Sequence, residues 1–166
     1  MQFETGDFVV HPVYGVGQIV KIEEKQFSRK GASLYYQIIL PKRTIWIPVE
    51  TYGTASLRLV TAKSDLDQYR NLLASRPMPL QKNHHRRHRE LVSRLKQGSF
   101  QVMCEVVRDL TAWGWRKPLG PTDMTTLQKA RENLCQEWAM ATGLSMAEAI
   151  QEVRSLLRTT QQAFRG

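Results

Sequence analysis

The chain has 166 residues, a formal net charge of +9 and a hydrophobic content of 42 % that includes four tryptophans. This composition excludes a disordered basic tail, and the length suits one ordinary domain or two small ones. No apolar run is long enough to cross a bilayer, the first residues lack the apolar segment of a signal peptide, and two cysteines are too few for a disulfide framework. We therefore expect a cytoplasmic protein that keeps its thiols reduced and does not associate with membranes.

The first sixty residues contain short alternating or apolar segments separated by glycine and proline. These segments predict strands at residues 8–11, 17–22, 34–40, 44–47 and 57–60. In the second strand, alternation places Val20 and Ile22 on one face and Lys21 on the other. The glycines of residues 15–17 predict a turn rather than a phosphate-binding loop, because no helix follows them. Five short strands in about sixty residues predict a small, strongly bent barrel of the SH3-like or Tudor-like type.

One tryptophan of this region lies in an alternating strand. Trp46 stands between Ile45 and Ile47, so it faces outward if the two isoleucines face the core. An exposed tryptophan is a favoured anchor at protein interfaces. The same pattern also fits a buried Trp46 with the isoleucines covered by a second domain, and we favour the first assignment. Residues 25–31 connect the second and third strands, and their cations either meet a partner or keep a hairpin tip soluble.

From Ser64 onward the apolar residues follow helical spacing. Helices are predicted to open at Ser64, Asn83, Ser99, Thr122 and a capping box at residues 145–148. They are predicted to end before Pro77, at Gly98, near Gly114 and at Gly143. The sequence therefore predicts an α+β multidomain protein. A five-stranded Tudor-like or SH3-like β barrel at residues 1–63 is followed by an all-α bundle of about five helices at residues 64–166.

Residues 76–98, which we call the basic stretch, hold most of the excess charge. They contain seven lysines and arginines against one glutamate, so they carry +6 of the total +9. Such a cluster attracts polyanions and gains entropy by releasing counterions when it neutralises phosphates. A solvated helix face is the alternative, but cations crowded at the start of a helix repel one another and oppose the helix dipole. The pattern therefore favours contact with nucleic acid.

Three histidines in the basic stretch raise the question of a metal site. His84 and His88 lie one helical turn apart, and His85 adjoins the first. A zinc site needs three or four protein ligands, and no nearby cysteine or suitably placed carboxylate completes this set. The sequence also lacks the usual nucleophile and phosphate-loop motifs. We expect no metal, no cofactor and no enzymatic activity.

Several segments occur together in the order found in a known family. They are FETGDFVVHPVYGVG at residues 3–17, the tyrosines at 35–36, IPV at 47–49, NHHRRHR at 83–89 and EVVRDL at 105–110. Over nearly its whole length the chain resembles the CarD/CdnL family of bacterial RNA polymerase-binding transcription regulators. The resemblance implies a Tudor-like N-terminal domain that binds the polymerase β subunit. It also implies a helical C-terminal domain that contacts promoter DNA at the upstream edge of the transcription bubble and stabilises the open complex.

The resemblance also bears on individual residues. The family usually has a tryptophan wedge where this chain has His84, and often an arginine where it has Trp46, whereas Lys25 matches a basic contact position. An imidazole can still stack on a base but offers less area than an indole. The predicted DNA-binding residues are Lys82, His84, Arg86, Arg87 and Arg89, and the predicted polymerase-binding residues are Lys25, Arg29 and Trp46.

The sequence is compatible with several functions. The leading one is a regulator, monomeric when free, that binds the RNA polymerase β subunit and promoter DNA. The main alternative is a nucleoid-type, non-specific DNA-binding protein without a polymerase partner. A polymerase-associated adaptor with a vestigial DNA contact and an RNA-binding module are further alternatives.

Overall fold

The computed structural model describes residues 2–27, 29, 31–50 and 57–164. It contains two compact units, Met1–Val60 and Thr61–Gly166, each with its own apolar core. The division falls close to the point at which the apolar spacing changes from the period of strands to that of helices. No helix within the described residues has the length and apolarity needed to cross a membrane.

The N-terminal unit is an antiparallel sheet, with five strands in its described part. The strands are β1 (Phe8–His11), β2 (Gly15–Lys25), β3 (Ser33–Ile39), β4 (Thr44–Pro48) and β5 (Arg58–Leu59). They pair in the order β4-β3-β2-β1-β5, which confirms the predicted number of strands and their succession. One face buries the core of this unit, made by Phe3, Val9, Ile19, Tyr36, Ile38 and Leu40.

Strand β2 departs from the predicted alternation. Its pairing with β3 shifts between Ile19 and Lys21, so Val20 is an extra residue in the ladder. Such a bulge reverses the in–out pattern of all residues that follow it. Ile19 is fully buried and Ile22 packs against the core, whereas Val20 is exposed. The prediction that Val20 and Ile22 share a face was therefore wrong.

The sequence predicts a turn at residues 15–17 and a strand from Gly17 onward, whereas β2 already begins at Gly15, whose φ is 81°. A Cβ atom on Gly17 would come within 2.6 Å of Ile38 Cγ2 and 3.0 Å of the carbonyl oxygen of Ile39. A side chain at this position would thus displace both the core and the neighbouring strand. The glycine is required by close packing across the sheet.

The C-terminal unit is helical, with five α-helices in its described part. A single 3₁₀ turn (Lys63–Asp65) precedes α1 (Leu66–Leu73), α2 (His84–Lys96), α3 (Phe100–Trp113), α4 (Pro121–Thr142) and α5 (Met146–Phe164). All five contribute to one apolar core, in which Trp138 is completely buried. The predicted all-α arrangement after the sheet is confirmed.

Helix ends with a local chemical cause occur where the sequence predicts them. The Asn83 side-chain oxygen accepts a hydrogen bond from the Arg86 amide at 3.0 Å, and Ser99 caps α3 in the same way. Ser145 and Glu148 exchange two bonds of 3.1 Å, which is the predicted capping box. The bond from the Ser145 amide lowers the pKa of Glu148.

The boundaries of α1 differ from the prediction. Ser64 lies inside the 3₁₀ turn and does not cap the helix, and α1 ends at Leu73 rather than just before Pro77. At this end the Leu72 carbonyl accepts from the Ser75 hydroxyl at 2.6 Å, and Arg108 of α3 donates to the same carbonyl at 3.4 Å and to the Ser75 hydroxyl at 2.8 Å. This long-range contact satisfies backbone that a longer helix would have used.

The two cysteines make a simple test of this core. Cys104 and Cys135 are thiols with 0 % and 1 % exposure, and burial raises the pKa of Cys135 to about 11. We expect neither thiol to react with a disulfide reagent at about pH 8 in the native protein, because the thiolate is the reactive form. Both should react within seconds in denaturant, which serves as the control. Rapid titration of one thiol in the native protein would contradict the packing.

Candidate functional sites

The start of α2 presents a cluster of cations to solvent. Lys82, Arg86 and Arg89 are exposed, and the first turn of the helix, His84 to Arg87, contains no acidic residue. A cleft of about 460 Å³ opens beside this turn and is lined by Lys82, Arg86 and Glu90, among others. Amide groups at a helix N-terminus attract anions, and the surrounding side chains reinforce that attraction. We call Lys82, His84, Arg86 and Arg89 the cationic patch.

Arg87 has a different environment from Arg86 and Arg89, although the sequence predicts the same DNA contact for all three. Only 7 % of it is exposed, and its Nη2 lies 2.8 Å from Asp123 Oδ2. Nε lies 3.2 Å from both carboxylate oxygens of Asp123. Nη1 donates to the carbonyls of Gln81 and Lys82 at 3.0 and 3.1 Å, and the guanidinium covers the Trp113 ring. Four of the five N–H donors of Arg87 are thus used inside the helical unit, and its burial argues against the direct DNA contact that the sequence predicted.

The reason lies in the helical period. Arg87 precedes Leu91 by four residues, so both lie on the face that α2 turns toward the core, and Leu91 is 1 % exposed. A guanidinium on that face requires a partner, and the partner comes from α4. By bonding to two carbonyls before the helix, Arg87 also fixes the backbone that carries Lys82. Arg87 therefore holds the backbone of the cationic patch from the buried side of α2.

The histidines lie in the N-terminal part of α2. His84 and His85 are exposed and their rings meet edge to face, with centroids 5.3 Å apart. His88 is half-buried. Among the described residues, no three histidine, cysteine or carboxylate side chains come together as metal ligands would. The exposed ring of His84 lies in the same first turn of α2 as Arg86.

A second ion-pair network supports the basic stretch from α3. Asp109, 2 % exposed, accepts from the Met78 amide at 3.0 Å and from Arg108 Nε at 2.9 Å. Arg94 of α2 lies 3.7 Å from the same carboxylate. Asp109 therefore holds residue 78, which precedes the cationic patch, against the helical core. Sequence reasoning missed Arg108, Asp109 and Asp123, although charged residues on apolar helix faces are an indication of such buried pairs.

In the N-terminal unit, Trp46 faces away from the core. It is 36 % exposed, and its neighbours Ile45 and Ile47 pack against the core, as the favoured alternation predicts. Two further rings adjoin it: the centroid of Phe27 lies 6.1 Å from that of Trp46 and 4.9 Å from that of Tyr35. We call Phe27, Tyr35 and Trp46 the aromatic patch.

Charged groups surround the aromatic patch. Lys25 Nζ lies 5.9 Å from the centre of the Trp46 ring and 3.5 Å from Glu23, which also accepts from the Trp46 indole at 3.4 Å. A hydrogen bond from Lys21 is the largest cause that lowers the pKa of Glu23. Arg29 is exposed in the connection between β2 and β3. The structure thus brings Lys25 and Trp46 together and adds Phe27 and Tyr35, which sequence reasoning did not select.

The chain thus combines a small antiparallel sheet module that has an exposed aromatic patch with a helical module that has a cationic helix start. The family model described as "CarD-like/TRCF RID domain" matches residues 3–60, and the model described as "CarD, C-terminal domain" matches residues 69–154. The chain belongs to the CarD family of transcription regulators, as the sequence resemblance indicated. The N-terminal match is a Tudor-like domain of a type that interacts with RNA polymerase.

A curated relative matches most of the chain. It is a Bacillus subtilis (strain 168) protein described as "Putative transcription factor YdeB". The two chains are 28 % identical over 148 residues, which cover 86 % of this chain and 94 % of the relative. The similarity therefore extends through both units and is not confined to one of them.

Proposed function

We propose that this protein binds the RNA polymerase β subunit through its N-terminal unit and contacts promoter DNA at the upstream edge of the bubble through the start of α2. In this way it stabilises the open complex. The observation that carries the proposal is the exposed cationic patch at the N-terminus of a helix whose backbone is held by two buried ion-pair networks. A rigid cationic surface grips phosphates without losing much side-chain and backbone freedom.

The residues of the cationic patch take different roles in this proposal. Lys82, Arg86 and Arg89 neutralise phosphates, and the amides of the first turn add to the local positive potential. His84 stands where the family wedge is expected, and its exposed ring stacks on a base at the edge of the bubble. Arg87 contributes through the backbone it holds and not through a contact of its own.

Stabilisation of the open complex requires only that contacts be better in the melted state. A regulator that binds closed and open complexes equally well shifts nothing. Contacts worth about 1.4 kcal/mol in the open state alone multiply the ratio of open to closed complexes by ten. A stacked His84 and two phosphate contacts are of sufficient size for such a shift.

The aromatic patch supplies the polymerase contact in the proposal. Trp46 is a large, half-exposed ring in a strand, so it presents apolar area with little loss of conformational freedom on binding. Lys25 lies beside the Trp46 ring and Arg29 is exposed in the connection that follows, and both cations steer the approach to an acidic surface.

Replacing Trp46 by alanine tests this contact. We expect the affinity of the full-length protein for RNA polymerase to fall by about thirtyfold, because a buried interface tryptophan contributes about 2 kcal/mol or more. Affinity for duplex DNA in the absence of polymerase should not change. Leu59→Ala removes another exposed apolar side chain of the same unit, outside the aromatic patch, and is the control. Unchanged polymerase binding by the Trp46 variant would refute the assignment.

The nucleoid-type alternative is favoured by the same cationic patch, since non-specific DNA binding needs nothing more. It makes a different prediction for the wild-type protein. A nucleoid-type protein binds duplex DNA but is not retained by immobilised RNA polymerase at moderate salt. Retention that depends on Trp46 excludes this alternative.

A further inference from the structure

A groove runs along the helical unit next to the cationic patch. Its volume is about 860 Å³. One part of its lining comes from the connection between α1 and α2, at residues 76–79 and 82. The rest comes from residues 109–117 at the end of α3 and just after it, and from Phe164 at the end of α5. Pro79 and Lys82 line both this groove and the cleft at the start of α2, so the two depressions are adjacent.

The groove carries positive charge. Four cations line it, namely Arg76, Lys82, Arg116 and Lys117. Among the described lining residues the carboxylate is that of Asp109, whose side chain is 1 % exposed and already bonded to Met78 and Arg108. It therefore does little to cancel the positive potential that a ligand in the groove would meet. A ligand of negative charge fits this lining.

The groove is also lined by aromatic rings. Trp113 and Trp115 lie two residues apart at the end of α3, and both are half-buried. Phe164 also lines the groove, and the Arg76 guanidinium lies 5.2 Å from its ring centre. Cations interleaved with aromatic rings in one groove characterise surfaces that bind unpaired nucleic-acid strands, because phosphates meet the cations while bases stack on the rings. A duplex keeps its base faces covered and cannot use such rings.

We propose that this groove binds a short single-stranded DNA segment that continues from the duplex held at the cationic patch. The inference rests on the proposed function, since melting of the promoter is the source of the unpaired strand. Lys82 contacts the backbone at the junction, Arg116 and Lys117 follow it along the groove, and one or two bases stack on the tryptophans. The groove thereby adds contacts that exist only in the open state.

The test is equilibrium binding of the full-length protein to fluorescent DNA at one fixed salt concentration. The probes are a blunt duplex, the same duplex with an unpaired tail of about six nucleotides on either strand, and the same tails without bases. We expect one tailed probe to bind about tenfold more tightly than the blunt duplex, and most of this gain to vanish without bases. Tryptophan fluorescence should be quenched by the tailed probe alone. An equal gain with the abasic tail, or tighter binding of an RNA tail, would overturn the proposal.

Charge reversal localises the site. Arg116→Glu with Lys117→Glu should abolish the gain from the tail and change affinity for the blunt duplex by no more than about twofold. Both side chains are exposed, so the fold should tolerate the change. Lys129→Glu with Arg158→Glu alters two exposed cations outside the groove by the same charge and should leave the gain intact. A gain that survives in the first variant places the tail elsewhere and refutes the groove.

The two proposals fail separately. Strong binding to the blunt duplex and to polymerase, with no gain from any tail, refutes the groove and leaves the proposed function standing. A bound unpaired strand that depends on Arg116 and Lys117, without affinity for duplex DNA or polymerase, supports the groove and refutes the proposed function.

Discussion

Replacing Arg87 by alanine should lower the free energy of unfolding of the helical unit by about 3–5 kcal/mol, because the change leaves a buried carboxylate without its partner. Asp123 is 3 % exposed, and both of its oxygens face the Arg87 guanidinium. Two carbonyls, those of Gln81 and Lys82, lose their donor at the same time. Each buried group left without a partner adds to the cost.

Urea unfolding followed by circular dichroism measures this effect. Arg86→Ala is the matched control one residue away, and its exposed side chain should contribute less than about 0.5 kcal/mol. Asp123→Ala should cost as much as Arg87→Ala. The double variant Arg87→Met with Asp123→Leu should recover much of the loss, because two apolar side chains leave no uncompensated charge. Equal stability of the Arg87 and Arg86 variants would show that the pair is not buried in solution.

The features that the sequence predicted correctly have causes within a few residues. Asn83, Ser99 and the pair Ser145 and Glu148 bond to backbone amides three positions away, so capping is readable from a short window. The number of strands follows from glycine and proline punctuation, and the outward orientation of Trp46 follows from alternation. Local chemistry was sufficient for these elements.

The features that could not be predicted from the sequence depend on interactions between residues that are far apart in the chain. Arg87 and Asp123 are 36 residues apart, and nothing near Arg87 distinguishes it from the exposed Arg86 and Arg89 except its phase on the helix. At the end of α1, Arg108 from another helix bonds to the Leu72 carbonyl and to the Ser75 hydroxyl, a contact that no short window of sequence contains. In a cluster of like charges, the helical phase relative to an apolar neighbour four residues away identifies the member that faces the core.

The same distinction applies to the candidate partner surface. Trp46 could be selected from its own strand, but Phe27 lies at the start of the connection between β2 and β3 and meets Trp46 only through the fold. Pairing of β3 with β4 sets Tyr35 opposite Pro48, two residues from Trp46 on the same strand, which places both rings on one face. The size of the aromatic patch is thus a property of the sheet register, and the bulge at Val20 shows that this register is not readable from alternation alone.

Arg86→Glu combined with Arg89→Glu should abolish the effect of the protein on open-complex lifetime while leaving its affinity for RNA polymerase unchanged. The two exposed side chains are three residues apart, so they lie on one face of α2 and reverse its charge together. Neither takes part in the Arg87–Asp123 pair, and the amide of residue 86 that bonds to Asn83 is kept. The fold should therefore survive the change.

The decisive measurement is the lifetime of competitor-resistant promoter complexes with saturating wild-type or variant protein. Binding to a promoter duplex alone should lose about two units of salt-dependence slope, one for each phosphate contact removed. Lys129→Glu with Arg158→Glu carries the same charge change on exposed positions of α4 and α5, and it should behave as wild type. If the Arg86 and Arg89 variant lost polymerase binding together with its DNA effect, the two units would not have separate duties. If it kept the full effect on lifetime, the cationic patch would not be the DNA contact, since a reversed charge repels the phosphate that the arginine is proposed to bind.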